Sequence, residues 1–328
     1  MRPHLSPMPA LCVENLQVTY ALAGGSISAV REVSLTVASR ECLGIVGESG
    51  SGKTQVFMAA MGLLARNARA SGSVRFAGRE ILGLAPKSLN RIRGSDLTMI
   101  FQDPMTSLAP HLKIGVQLGE VLVTHRGFSW RDALRAAATI LERVRVPDPQ
   151  RRLRQYPHEL SGGMRQRVMI GMSLLCGPQL LIADEPTSAL DVTVQAQIVD
   201  VLRELRSEAA MAMILISHDL GVVAELADRI VVMYAGRVVE DAPVSEVLQR
   251  ARHPYTALLL QCVPNLREER LERMPCLPGQ ALGAGMQERG CAFAPRCPRA
   301  SGQCRAERPP LRSVHQSVQV ACHHPLSP

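Results

Sequence analysis

The sequence predicts an α/β fold built on parallel strands, and three stretches predict it. Leu43-Gly44-Ile45-Val46 is an apolar run of strand length that feeds a glycine-rich loop, Gly47-Glu48-Ser49-Gly50-Ser51-Gly52-Lys53-Thr54, and then a helical segment opening at Gln55. Leu180-Leu181-Ile182-Ala183 is a second apolar run, closed by Asp184-Glu185-Pro186. Ala212 to Ile216 is a third, closed by Ser217-His218-Asp219. Apolar runs without alternation mark strands buried on both faces, and such sheets collect their ligand-binding groups at the strands' C-terminal ends.

Size and composition narrow the classes. A chain of 328 residues has room for a large core and about two domains. The formal net charge of +8 suits nucleic acid, a membrane surface or an acidic partner, or simply arginine spread over solvated faces. Aromatics at 3% argue against a base-stacking platform, so no nucleic acid is expected as a partner. No apolar run reaches the roughly 20 residues needed to cross a bilayer. The closest, Val168 to Ala183, is broken by Gly177, Pro178 and Gln179. The N-terminus lacks the apolar core of a signal peptide, so a cytosolic location is expected. Nine cysteines in that compartment are not a disulfide framework.

In order, Leu11 to Tyr20 alternates as a strand, Gly24-Gly25 turns, and Ile27 to Val37 and Glu41 to Val46 read as further strands. Tyr20 ends the first strand, where its ring is either an adenine platform or a half-buried strand residue. The loop from Gly47 to Thr54 is the P-loop pattern in its required context of strand, loop and helix. Its glycines let backbone N–H groups turn inward, and with the helix N-terminus these cradle phosphate. Lys53 reaches the β- and γ-phosphates, and Thr54 holds Mg²⁺.

Leu97 to Phe101 is another strand, ended by Gln102, with Pro104 stopping regular structure. Such a glutamine can bond Mg²⁺ or the attacking water; alone it reads as a surface residue. Residues 111 to 146 switch to helical spacing in two segments, Ile114 to Thr124 and Trp130 to Val146, a helical insert in the α/β domain. Arg151 to Arg154 reads as a solvated linker.

Leu160-Ser161-Gly162-Gly163-Met164-Arg165-Gln166-Arg167 follows. Ser161 caps a helix, and Gly162 and Gly163 expose N–H groups at its start, a second anion site about a hundred residues after the first. One monomer seldom needs two phosphate cradles for one nucleotide. A head-to-tail dimer uses both, each nucleotide touching the P-loop of one subunit and this loop of the other. Asp184 fits Mg²⁺ coordination, and Glu185 fits a general base on the water attacking the γ-phosphate. Asp191 is a helix N-cap or a dimer contact. His218 fits a donor to the γ-phosphate. Val231 to Tyr234 and Arg237 to Glu240 form a hairpin around Ala235-Gly236, and the core ends near residue 250.

Together these residues resemble the ATP-binding subunit of an ABC transporter, over about residues 10 to 250. By resemblance Tyr20 stacks on adenine; Gly47 to Thr54 is the Walker A loop, Gln102 the Q-loop, Leu160 to Gly163 the signature, Asp184-Glu185 the Walker B end, Ser188 to Asp191 the D-loop, and His218 the switch histidine. The resemblance implies a RecA-like P-loop core with an antiparallel β subdomain and an α-helical subdomain at about 103–160. Met164 stands where the commonest signature has glutamine. That variant, and the tail from His253-Pro254-Tyr255-Thr256 onward, resemble the dipeptide/oligopeptide importer group.

The tail, residues 251–328, carries Cys291, Cys297, Cys304 and Cys322, separated by five, six and seventeen residues. Four thiols in a Pro- and Gly-rich segment suit a metal site, yet the spacing lacks the tight pairs of structural zinc. Iron–sulfur, zinc and no metal all stay open on the residues, with Cys276, His323 and His324 as substitute ligands. The resemblance favours a [4Fe–4S] cluster. Cys12, Cys42 and Cys176 read as small core residues.

The resemblance further implies ATP and Mg²⁺ as cofactors. It implies a second ATPase subunit, two membrane permease subunits and an extracytoplasmic solute-binding protein as partners. The chain would sit peripherally on the cytoplasmic face of the inner membrane. Dipeptides or oligopeptides are the expected cargo, with nickel or another small solute as the alternative. A non-transport ATPase acting on DNA or ribosomes is the remaining class, and one P-loop with no heptad run disfavours it.

Overall fold

The structure is a computed structural model, and it describes residues 8–103, 107–188, 190–262, 289–315 and 317–327. Pro104 and Cys276 therefore lie outside the described residues. In chain order the elements are β1 (Leu11–Leu22), β2 (Gly25–Val37), β3 (Cys42–Val46), α1 (Lys53–Ala60), β4 (Ala68–Phe76), β5 (Arg79–Glu80), α2 (Pro86–Leu89) and β6 (Leu97–Ile100). Then come α3 (Ile114–Arg126), α4 (Trp130–Arg143), α5 (Pro149–Arg152), α6 (Gly162–Leu174), β7 (Leu180–Asp184), α7 (Val192–Ala209) and β8 (Ala212–Ile216). The rest are α8 (Leu220–Leu226), β9 (Arg229–Tyr234), β10 (Arg237–Pro243), α9 (Val244–Arg250), α10 (Pro254–Gln261), α11 (Gly302–Ala306), β11 (Arg312–His315) and β12 (Val318–Val320). The chain divides into two compact units.

One unit comprises Leu11–Val37, Cys42–Gly83 and Ile216–Pro328. Its first sheet is antiparallel in the order β2-β1-β4-β5. Its other strands run β11-β12-β10-β9-β3, with β3 and β9 parallel from Leu43↔Arg229 to Val46↔Val232. All five residues of β3 are buried, as an unalternating apolar run demands. Gly44 is needed there because a Cβ would lie 2.4 Å from Val223 Cγ1 on α8. The hairpin of β9 and β10 pairs Arg237 with Tyr234 across Ala235 and Gly236, both at positive φ, as a two-residue turn of this hand requires. The tail joins this unit through main-chain pairing, with Glu240 of β10 opposite Val320 of β12.

The other unit comprises Met1–Ala10, Ala38–Glu41 and Leu84–Leu215. Here β6, β7 and β8 are neighbours in that order, and β6 runs parallel to β7 from Leu97↔Leu180 to Ile100↔Ala183. The two predicted helices of the insert are α3 and α4. Gly127 ends α3 in the left-handed conformation, and Ser129 caps α4 by accepting the Asp132 N–H at 3.2 Å. Ala133, Ala137, Ala138, Ile140 and Leu141 are the buried stripe of α4.

Two expectations are corrected. Arg151 to Arg154 is no linker: Pro149 starts the short helix α5, and Arg152 Nε donates to Pro147 O at 3.2 Å. Cys176 is a core residue as expected, clustered with Leu122 and Ala133. Cys12 is half-buried on β1 rather than core, because Glu14 and Arg75 share its face.

Candidate active site

The P-loop occupies the turn between β3 and α1. Gly47 adopts φ 153° and Gly52 φ 94°. A Cβ at Gly47 would lie 2.2 Å from Met233 O, and one at Gly52 2.3 Å from Ala29 O, so the loop is pressed against neighbouring backbone on two sides. Lys53 is buried. Its Nζ donates to Gly47 O at 2.7 Å, Glu48 O at 2.9 Å and Ser51 Oγ at 3.4 Å. The lysine thus closes the loop into a ring of backbone around one cation, while Ser49 and Gly50 lie on its outer part. Ser51 O accepts the Gly236 N–H at 3.0 Å, which ties the loop to the β9–β10 turn. Thr54 follows Lys53 in the first turn of α1.

Tyr20 comes to the same unit and the same helix. Its hydroxyl donates to Gln55 Oε1, one residue after Thr54, and burial raises its pKa. His218 is exposed just past β8, where Ser217 Oγ accepts the Asp219 N–H at 3.0 Å and Asp219 caps α8.

The second unit gathers the remaining predicted residues. Asp184 ends β7 and is 3% exposed. Glu185 follows at φ 47°, a left-handed conformation that costs a non-glycine residue about 1–2 kcal/mol. It is held there because its carbonyl accepts both the Ser188 N–H at 3.1 Å and the Ser188 hydroxyl at 2.9 Å. Gln102 Nε2 donates to Glu185 Oε2 at 2.9 Å, so glutamine and carboxylate form one polar pair. Ser161 caps α6 by accepting the Met164 N–H at 3.3 Å, with Gly162 opening the helix. Gly163 packs on α7, where a Cβ would lie 2.8 Å from Val194 Cγ1. Asp191 caps α7 by accepting the Val194 N–H at 2.9 Å.

Two supporting contacts were not anticipated. Gln166 is 2% exposed, and its amide donates to Pro186 O at 2.6 Å, bracing the turn after Glu185 against the signature helix. Ser188 locks Glu185 as described. A buried glutamine within a glycine-led helix was the available signal for the first.

Thr54 carries a hydroxyl in one unit, and Gln102 an amide oxygen and Asp184 a buried carboxylate in the other. Each is the kind of hard oxygen donor that Mg²⁺ prefers. One unit thus offers a phosphate cradle with a buried cation, and the other a carboxylate hydrogen-bonded to a glutamine amide.

Two family models match this chain. Residues 30–188 match "ABC transporter", and residues 239–304 match "Oligopeptide/dipeptide transporter, C-terminal region". The oligopeptide transport ATP-binding protein OppD of Salmonella typhimurium is 49% identical over 324 residues, covering 98% of this chain and 96% of that protein. The chain belongs to the ATP-binding subunits of ABC transporters. OppD of Escherichia coli is 48% identical over 316 residues, covering 96% and 93%. Among solved structures, a dimeric ATP-binding cassette in a post-hydrolysis state bound to ADP and Pi superposes with TM-score 0.65 at 27% identity. That match covers 71% of this chain and 98% of the cassette. The ABC ATPase assignment carries ATP hydrolysis coupled to transport, and ATP with Mg²⁺ fits that family.

The tail departs from expectation. Cys291, Cys297, Cys304 and Cys322 line one small cavity with His253, His323 and His324, and none is in a disulfide. Burial pushes the Cys322 thiol up to about 11 and raises that of Cys291. Two of the sulfurs accept hydrogen bonds: Ser301 Oγ donates to Cys304 Sγ at 3.5 Å, and the His324 N–H to Cys322 Sγ at 3.4 Å. Among the described residues no group of three or more His, Cys, Asp or Glu side chains could hold a metal ion. The expected [4Fe–4S] ligation is therefore not supported.

Proposed function

We propose that this ATPase subunit powers import of dipeptides or oligopeptides through separate permease subunits. It would work peripherally on the cytoplasmic face of the inner membrane, fed by an extracytoplasmic solute-binding protein. The observation that carries the reading is the near full-length likeness to OppD, which extends through the oligopeptide/dipeptide C-terminal region. No helix among the described residues is long and apolar enough to cross a membrane, which agrees with separate permeases.

In this reading the P-loop N–H groups and Lys53 hold the β- and γ-phosphates, and Tyr20 backs the adenine. Thr54, Asp184 and Gln102 hold Mg²⁺, which when bound neutralises charge on the phosphate oxygens. Glu185 takes the proton of the attacking water, Gln102 orients it, and His218 donates to the γ-phosphate. Ser161, Gly162 and Gly163 serve the nucleotide of a partner ATPase, with Asp191 at the contact. That partner is expected to be a related second chain. What supports the sandwich is the capped, glycine-led start of α6, a second anion-binding turn in addition to the P-loop.

The test is uptake by the reconstituted assembly with its solute-binding protein. Labelled oligopeptide should accumulate only with ATP. Accumulation of nickel ions and not peptide would overturn the cargo, and co-purification with nucleic acid instead of permeases would overturn the transport role. A cluster on Cys291, Cys297, Cys304 and Cys322 is a second reading, supported by four thiols on one cavity and by no convergent geometry. Iron and acid-labile sulfide in anaerobically purified protein would establish it, and absence of both would remove it.

A further inference from the structure

Glu48 is the second residue of the P-loop, and the C-terminal region grips it at three atoms. Its N–H donates to Tyr255 Oη at 2.8 Å. Its two carboxylate oxygens accept from Arg296, NH1 to Oε2 at 2.7 Å and NH2 to Oε1 at 2.9 Å. The fourth polar atom, the Glu48 carbonyl, accepts from Lys53 Nζ at 2.9 Å. One residue thus joins the lysine of the phosphate site to a segment 248 positions away in the chain.

The grip is desolvated and rigid. The Arg296 side chain is 4% exposed and Glu48 24%. NH1 of Arg296 also meets Tyr234 Oη at 3.3 Å, and its guanidinium lies 5.9 Å from the Tyr234 ring centroid. Tyr234, Tyr255 and Phe293 pack with ring centroids 4.7 to 5.3 Å apart, and Tyr255 is fully buried. A forked, charge-assisted pair against packed rings has one geometry.

We propose that Arg296 and Tyr255 are positioning residues for ATP: the C-terminal region clamps Glu48, holds the P-loop in its phosphate-binding shape, and cancels a carboxylate charge beside the polyphosphate. A loop already held in shape loses less conformational freedom when ligand enters. A carboxylate left uncompensated next to Lys53 would compete for that lysine and repel the anion.

The proposal rests on the nucleotide-binding role of the P-loop, so Lys53→Ala is the control. ATP affinity is measured on the full-length chain with a fluorescent ATP analogue, and turnover on the assembled complex. In Arg296→Met the Kd and KM for ATP should rise about tenfold, equivalent to about 1.4 kcal/mol, with kcat at saturating ATP changed less than twofold. Adding Glu48→Gln to Arg296→Met should recover much of the loss by removing the stranded charge. A purely structural role would make the double variant as weak as the single or weaker. Tyr255→Phe should weaken ATP binding about threefold, and it serves where Arg296→Met fails to fold. Unchanged affinity in a folded Arg296→Met or in Tyr255→Phe, or no recovery in the double variant, overturns the clamp. If Lys53→Ala binds ATP like the wild type, the nucleotide site itself is misassigned. If Lys53→Ala loses ATP while Arg296→Met does not, only the clamp fails.

Discussion

Gln102 Nε2 donates to Glu185 Oε2 at 2.9 Å, so the glutamine at the end of β6 is bonded to the carboxylate at the end of β7. Adjacent parallel strands deliver both side chains to the same edge, and the left-handed backbone of Glu185 turns its carboxylate there. The glutamine offers one amide for the carboxylate and keeps its oxygen for a metal or water.

Removing either member should therefore separate binding from chemistry. Glu185→Gln is expected to keep ATP affinity within about threefold and to lower kcat of the assembled complex by 100-fold or more, the usual size of a general-base contribution. Gln102→Ala should lower kcat about tenfold with a smaller change in KM. Steady-state ATPase measurements with analogue binding decide it, and undiminished turnover in Glu185→Gln would remove the base.

Two P-loop glycines make opposite demands, and their alanine variants should separate. Gly52 has φ 94° and a Cβ site 2.3 Å from Ala29 O, so Gly52→Ala must displace backbone. Gly50 has φ 78° with nothing within 4 Å of its Cβ site, so Gly50→Ala faces only the left-handed penalty of about 1–2 kcal/mol. Gly52→Ala should abolish nucleotide binding and lower the unfolding midpoint. Gly50→Ala should fold, with a smaller loss on both measures.

The start of α6 carries a third prediction. Losing the cap in Ser161→Ala should cost about 1 kcal/mol in denaturant unfolding. Gly163→Ala should cost more, because its Cβ would stand 2.8 Å from Val194 Cγ1. Trimming the obstacle in a Gly163→Ala, Val194→Ala double variant should recover part of that cost. A double variant no better than the sum of the two singles would show that Gly163 is required for something other than room.

Local pattern revealed most of the strands, the P-loop, both insert helices and the caps at Ser161 and Asp191, because each depends on residues a few positions apart. Ser161 and Met164, or Asp191 and Val194, are close in the chain and closer still in the helix. The contacts that went unread are distant in sequence. Glu48 belongs to the P-loop pattern and Arg296 lies between Cys291 and Cys297, and nothing near either in sequence predicts their ion pair. The four cysteines also share a cavity, where a serine hydroxyl points at the Cys304 sulfur and a backbone N–H at that of Cys322. Spacing alone carries no information on those contacts.

His253 gives the chain a defined response to acid. It is 1% exposed, and burial pushes its pKa down from 6.5 to about 4. Its Nδ1 accepts the Tyr255 N–H at 3.1 Å, and its ring lies against Phe293 with centroids 5.9 Å apart. Between pH 6.5 and 4 the unfolded chain binds a proton at this residue that the native chain refuses. Stability therefore falls as pH drops through that window, by up to about 3 kcal/mol for this group. Glu240 accepts the His253 N–H at 2.9 Å and the Arg252 N–H at 2.7 Å, and burial raises its pKa. Its contribution has the opposite sign: present at low pH, it is lost as pH rises through the native value, so it offsets part of the histidine effect. Thermal unfolding from pH 7 to 4 should show a falling midpoint. His253→Gln, which cannot titrate, should show a flatter profile, with a lower midpoint at pH 7 and a smaller loss on acidification. If the variant and wild-type profiles run parallel, the acid sensitivity arises elsewhere, and the buried imidazole serves packing and the helix cap alone.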